Sequence, residues 1–351
     1  MIIPLCALIS AASAWAQVAF DPPAAEGALN APQITEASGL AASRRNPGVL
    51  WTHNDSGDSA RVFAIDSQAR LLATVNLAGI LALDFEDISV GPGPVPGLHY
   101  LFVGDIGDNL LFRSTIRVHR FPEPAVSLAQ AGNPTSFSAE GVATITLAYP
   151  DGPRDAEGLA IDPLSGDLYV FSKQPANSRV YRAAKSQIDP GGQVALSFVA
   201  QVPFNLATAA DISPDGALIV LRGLDSARAW ERGPSQSITE ALASQGFSVP
   251  VTGRPAEPQG EALGFAQDNS GYFTLTEGSG AVLRFAARRA CDPDVNCDGA
   301  VNGFDVGAME QAVNGDQSNF CVPDPDFNRD GSLNGFDVEA VEQSVNGAPC
   351  P

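Results

Sequence analysis

Two stretches of the chain repeat one arrangement of oxygen-bearing side chains, 32 residues apart. The first places Asp294, Asn296, Asp298, Asn302 and Asp305 around Gly299. The second places Asp326, Asn328, Asp330, Asn334 and Asp337 around Gly331. In each the donors fall at positions 1, 3, 5, 9 and 12 of a twelve-residue loop, with glycine at 6. Alternate residues of such a loop turn their oxygens toward one centre, and the glycine allows the sharp bend. The position-7 carbonyl, of Ala300 or Ser332, adds a backbone oxygen. This donor set suits a hard cation such as Ca²⁺, which takes about 6–8 oxygen ligands. Each loop also crowds three carboxylates, which repel unless a cation sits among them, so metal binding and folding are expected to be linked.

A second set of charged residues recurs upstream. Glu86, Asp87, Glu157, Asp211 and Glu261 stand where apolar runs begin, and Lys173, Arg222, Glu277, Asp105 and the group His53-Asn54-Asp55 stand where the following runs end. If the two runs of each unit are antiparallel neighbours, both edges lie on one face. Carboxylates converging there must be paired, protonated or bound to metal. An Asp or Glu could then serve as general base, with Lys173 and Arg222 holding an anionic group. In the alternative reading, the two cations neutralise the acids in a structural network. His53 is the histidine best placed for chemistry, while His99 and His119 fall inside strand patterns.

The elements that carry these residues are short strands in fours. First strands read near 38–41, 86–89, 157–160, 211–213 and 261–264. Second strands read at 49–51, 100–103, 168–171, 218–221 and 272–275, and third strands at 61–63, 116–120, 179–182, 228–231 and 282–285. Fourth strands read at 71–75, 143–147, 195–200 and 247–251. Such units, near 50 residues each with turn signals between, predict a mainly β fold: a β-propeller of five blades, with six as the alternative and a β-sandwich as the competing architecture. The fifth unit lacks its own outer strand, and residues 32–35 are expected to supply it and close the ring. The propeller is expected to span residues 33–289, after a linker at 17–32. Its layout, with the strings Asp155-Ala156-Glu157-Gly158-Leu159 and Pro258-Gln259-Gly260-Glu261, resembles secreted phytase-like and lactonase-like propellers. That resemblance implies further Ca²⁺ in the channel.

Residues 291–351 form a separate small module. A helix is expected after each loop, since Val306, Met309 and Val313, and again Val338, Val341 and Val345, recur at i, i+3, i+7. Asn314-Gly315 and Asn346-Gly347 are stop signals. Loop, helix, linker, repeat resembles a type I dockerin domain. The resemblance implies two Ca²⁺ ions and docking onto a cohesin-like receptor or another extracellular protein. It also associates the chain with polysaccharide-degrading systems. Both copies carry Gly-Phe after the position-9 Asn (Gly303-Phe304, Gly335-Phe336), where cellulosomal dockerins often carry Ser-Thr. Four cysteines fall in this module, which predicts two disulfides. Of the three connectivities, Cys297–Cys321 with Cys291–Cys350 is favoured.

The chain has 20 basic and 40 acidic residues and a net charge of −20; twelve of the acids and one base, Arg329, lie in residues 291–351. Such a charge disfavours nucleic acid and anionic membranes as partners. Residues 1–16 read as a secretory signal peptide, with Cys6 inside it, and no later run is long enough to span a bilayer. The expectation is a secreted, extracellular or cell-surface protein in which the acidic module attaches the propeller to a partner. The alternative is an extracellular hydrolase of phosphoesters, lactones or polysaccharides.

Overall fold

A computed structural model describes residues 18–289, 292–322, 325–328 and 332–348. The predicted signal peptide, Asp330 of the second loop and the pair Cys291–Cys350 lie outside these residues. The chain divides into two compact units, one of them Phe20–Arg288.

This unit is a five-bladed β-propeller. Blade I holds strands Ala37–Ala42, Val49–Asn54, Arg61–Asp66 and Leu71–Asn76. Blade II holds Phe85–Pro92, His99–Asp105, Ile116–Pro122 and Ala143–Ala148. Blade III holds Ala156–Ile161, Leu168–Ser172, Ser178–Ala183 and Ser197–Val202. Blade IV holds Ala209–Ile212, Leu218–Arg222, Ala227–Glu231 and Phe247–Val249. Blade V holds Gly260–Phe265, Gly271–Thr276 and Val282–Ala287. Within each blade the strands pair antiparallel in chain order.

The fifth blade is completed by Ala24–Ala28, paired antiparallel with Val282–Ala287, rather than by residues 32–35. The segment expected to be a linker is therefore part of the sheet. Its sequence, Ala-Ala-Glu-Gly-Ala, has no β-branched residue and no alternation, so nothing local marks it as a strand. Two more short strands extend outer edges: Thr135–Ser138 lies parallel to Leu71–Asn76, and Gly192–Ala195 parallel to Ala143–Ala148. The first explains the long spacing between units two and three, because the chain returns to blade I before starting blade III.

The inner strands neighbour one another in a closed ring, and four of the five are buried at every position. Small residues make this approach feasible. A Cβ on Gly264 would lie 2.4 Å from the Leu40 carbonyl oxygen of the adjoining blade. Apolar clusters fill the seams between blades, with Trp51, Tyr181 and Trp230 fully buried.

In the C-terminal unit two helices, Gly303–Val313 and Gly335–Val345, follow the two loops. They share a core of Met309, Ala312, Val341 and Ala340 with Val295 and Phe327, the second residue of each loop. Val306, Val313, Val338 and Val345 flank it, as the predicted stripes require. A disulfide joins Cys297 to Cys321. Among the described residues no helix is long and apolar enough to cross a membrane.

Candidate functional sites

One mouth of the propeller channel gathers acids by a repeated local device. In blades I, II, III and V the inner strand begins with a β-bulge, where pairing skips from Ala37 to Gly39, Phe85 to Asp87, Ala156 to Gly158 and Gly260 to Ala262. The extra residues are Ser38, Glu86, Glu157 and Glu261. A bulge re-aims a side chain that regular pleating would send elsewhere. Blade IV has no such bulge. Thr208 stands there, its hydroxyl donating to the Gly260 carbonyl at 3.0 Å, much as Ser38 donates to that of Glu86 at 2.7 Å.

Loops at the same edge add Asp55, Asp84, Asp155, Lys173 and Glu277. Oxygens of Asp55, Asp84 and Glu86 all lie within 4.8 Å of one another. Beside them Lys173 Nζ donates to Glu157 Oε1 at 2.5 Å. The other Glu157 oxygen is buried with no hydrogen-bond partner among the described residues. Asp84 was not foreseen as a site residue. Its signal is the repeat Asp84-Phe85-Glu86 and Asp155-Ala156-Glu157, an acid two residues before two of the three bulged glutamates; blade V has Gln259 there.

The electrostatics follow from burial and crowding. Burial, then Asp55, pushes Asp84 up to about 6. Burial, then Glu157 and Asp55, drives Glu86 well above the carboxylate range. Burial lifts Glu157 to about 8 against the pull of Lys173. Burial, then Glu261, lifts Glu277 to about 7. Glu261 and Asp55 are raised by burial too. Burial alone would lower Lys173, but Glu157, Glu261 and Glu86 outweigh it and hold its ammonium charged. One ammonium faces several carboxylates, a setting that can share protons or gather a cation.

Loop 105–113 walls this mouth. Arg113 pairs with buried Asp105 at 2.8 Å and donates to the Gly107 carbonyl at 2.7 Å. Asp108 accepts from the amides of Phe112 and Arg113. The loop tip exposes Leu110 and Phe112, at 80% and 72%. Behind it a cleft of about 410 Å³ is lined by Asn109, Leu111, Asp155, Lys173 and Gln174.

Other residues expected at the rim lie elsewhere. Asp87 is fully buried, and its carboxylate accepts from the amides of Ile88, Leu159 and Ala210, stitching three blades. Asp211 pairs mid-strand with Val220 and accepts from Ile212 and Phe265. Arg222 is wholly buried, bound to Glu257 and donating to the Ala262 carbonyl at 3.0 Å, so it cannot hold an anionic ligand at the mouth. His53 is enclosed, its Nδ1 2.9 Å from the Asn54 carbonyl, and burial depresses it to about 4. Buried His119 contacts Thr144 and Asp105, while His99 is exposed at the start of its strand.

In the C-terminal unit the first loop is organised by its own amides. Asp294 accepts from Asp298 and Gly299, and Asp298 from Ala300. Cys297 and Gly299 take positive φ to make the bend. The position-12 aspartates, Asp305 and Asp337, are buried and close each loop. Asp305 accepts from Asn296 and Asn302, and Asp337 from Asn328 and Asn334. Each is also the third helical residue of a capping box whose N-cap is the position-9 asparagine. Asn302 and Asn334 thus cap helices through Oδ1, while their Nδ2 groups donate to the Ala300 and Ser332 carbonyls. The donors are oxygens throughout, which fits a hard cation.

A small module of two loop–helix repeats closed by buried aspartates thus accompanies a propeller with an acidic mouth. Residues 292–346 match the dockerin type I domain family, whose members bind calcium. No curated protein sequence matches the chain. Among solved structures, a nidogen/laminin complex is similar at 12% identity over 69% of this chain and 73% of that one, with a TM-score of 0.41. A gluconolactonase from Xanthomonas campestris, XC5397, is similar at 14% identity over 78% and 98%, with a TM-score of 0.40. The Dos1 propeller is similar at 14% identity over 71% and 68%, with a TM-score of 0.35.

Proposed function

We propose that the C-terminal module is a calcium-dependent anchor that docks the propeller onto a cohesin-type receptor or another extracellular protein. The observation that carries this reading is the duplicated loop–helix unit, in which each donor position recurs and a buried aspartate ties loop to helix. Asp294, Asn296, Asp298, Ala300, Asn302 and Asp305 would serve the first ion. Asp326, Asn328, Asp330, Ser332, Asn334 and Asp337 would serve the second, with Asn302 and Asn334 acting through water if they keep their capping bonds. A bound ion neutralises the loop carboxylates and thereby holds the helix starts in place. Phe304 and Phe336, exposed at 76% and 65% in equivalent positions, offer the partner two aromatic contacts.

The test is capture of partners from extracellular extract by the full chain, with and without chelator. The reading expects specific partners that disappear with chelator and with Asp294→Asn/Asp326→Asn. Capture indifferent to both would overturn it.

The Lys173–Glu157 pair favours a second reading, in which the propeller cargo is a hydrolase. A glutamate held near neutral proton affinity beside an ammonium can exchange a proton with a bound ester or glycoside. Screening the full chain against phosphoesters, lactones and glycans tests it, and activity must fall in both Glu157→Gln and Glu261→Gln.

A further inference from the structure

We propose that the pairs Asn302-Gly303 and Asn334-Gly335 are self-modification sites, stable while their loops are closed around calcium and prone to deamidate in the open, ion-free loops. The chain has four Asn-Gly pairs, beginning at 302, 314, 334 and 346, and all of them fall in the C-terminal module. In this dipeptide the asparagine side chain is most open to attack by the next backbone nitrogen, because glycine has no side chain to hinder the approach. Two of the pairs need their glycine. Gly315 and Gly347 take φ of 90° and 88° where the helices end, and their amides donate to the Ala312 and Ser344 carbonyls at 3.0 Å. The other two do not need it. Gly303 and Gly335 avoid the left-handed region, and a Cβ on either would meet nothing within 4 Å. Each opens a helix, where glycine is a poor former and the first amide has no acceptor within the helix. Neither space nor backbone conformation explains a glycine that recurs at this place in both copies.

The folded loops hold the reaction back. Asn302 Oδ1 accepts from the Phe304 amide at 2.9 Å, and its Nδ2 donates to the Ala300 carbonyl at 2.8 Å. Asn334 is pinned at the same two distances to Phe336 and Ser332. A carboxamide fixed at both ends cannot turn the face of its carbon onto the glycine nitrogen. Once a loop opens, that nitrogen bonds to Cγ, the Cγ–Nδ2 bond breaks, and ammonia leaves carrying the nitrogen's proton. Water then opens the cyclic imide at either carbonyl, giving aspartate or isoaspartate. Isoaspartate lengthens the backbone by a methylene at loop position 9 and at the helix N-cap at once, so neither loop nor cap re-forms. The inference rests on the calcium-dependent anchor reading for its gate, and it makes release of the anchor one-way after a spell without calcium.

The experiment incubates the full chain in warm neutral buffer with calcium or with chelator. Peptide mass spectrometry follows each asparagine, and circular dichroism follows the helix signal. With calcium at about 100 times its dissociation constant, mass action lowers the open form by about 100-fold, so modification at 302 and 334 should slow by the same factor relative to chelator. Gly303→Ala/Gly335→Ala should fold as its parent does in calcium and modify several-fold more slowly in chelator. It should also regain its full helix signal when calcium is restored, while the parent regains less as isoaspartate accumulates. A helix signal that responds to calcium while 302 and 334 modify equally in both buffers, or in neither, would overturn the inference and leave the anchor reading standing. A helix signal indifferent to calcium would overturn both.

Discussion

Asp87→Ala offers the sharpest division between structural and functional acids in this channel. The carboxylate of Asp87 takes three buried amides: Ile88 at 2.8 Å, Leu159 at 2.8 Å and Ala210 at 3.1 Å. The last two belong to blades III and IV, so one side chain on blade II fastens the inner strand of adjoining blade III and that of blade IV beyond it. Alanine leaves all three donors unsatisfied, at about 1–3 kcal/mol each. Part of that loss is offset, because burial drives the carboxyl well above its ordinary range and removing it relieves a desolvated acid. The expected net loss is about 3 kcal/mol. Asp87→Asn keeps an oxygen for Leu159 and Ala210 but turns an NH₂ toward the Ile88 amide, and should cost about 1 kcal/mol. Urea denaturation followed by tryptophan fluorescence reads both, since Trp51 and Trp230 are fully buried in blades I and IV. An alanine variant within 1 kcal/mol of wild type, or more stable than it, would refute the stitching role; a gain is the mark of an acid kept for function.

Gly264→Ala should destabilise the propeller by about 1–3 kcal/mol in the same denaturation, because its Cβ meets the backbone of Leu40 where blades V and I join. Asp211 is raised to about 6 by burial, so its contribution favours the fold below the ordinary value of 3.8 and is lost as pH rises through 6. The stability of wild type relative to Asp211→Asn should therefore improve by about 1 kcal/mol from pH 7 to pH 5, measured by urea titration at each pH. Replacing Cys297 and Cys321 by serine opens a link of sequence separation 24, for which chain entropy predicts a loss of up to about 3.5 kcal/mol. More calcium should then be needed to protect residues 292–346 from proteolysis. Phe304→Ala/Phe336→Ala should abolish partner capture while leaving the far-ultraviolet helix signal unchanged, since both rings are exposed.

The C-terminal repeats were legible because everything that defines them is local: donors at fixed spacing, a glycine, then apolar residues at helical period. The capping role of Asn302 and Asp305 was hidden, since one spacing serves ligation and capping alike. The blades were legible from strands and turns, and Glu86, Glu157 and Glu261 from their recurrence. Asp211 was grouped with them because blade IV has no bulge, so matching acid to acid slides the register into mid-strand. The fate of Arg222 depends on Glu257, 35 residues later, whose placement no local pattern announces. Thr135–Ser138 and Ala24–Ala28 escaped notice because their pairing partners, not their own residues, make them strands.

Blade V joins the two ends of the ring, and its strand Val282–Ala287 is held on one side by Gly271–Thr276 and on the other by Ala24–Ala28. The C-terminal unit follows directly in the chain. If the proposed anchor holds, a pull passing through residue 288 reaches the propeller at a strand paired on both flanks, so two ladders must yield before that strand leaves the sheet. The blade that meets such a load is the one built from both ends of the propeller segment.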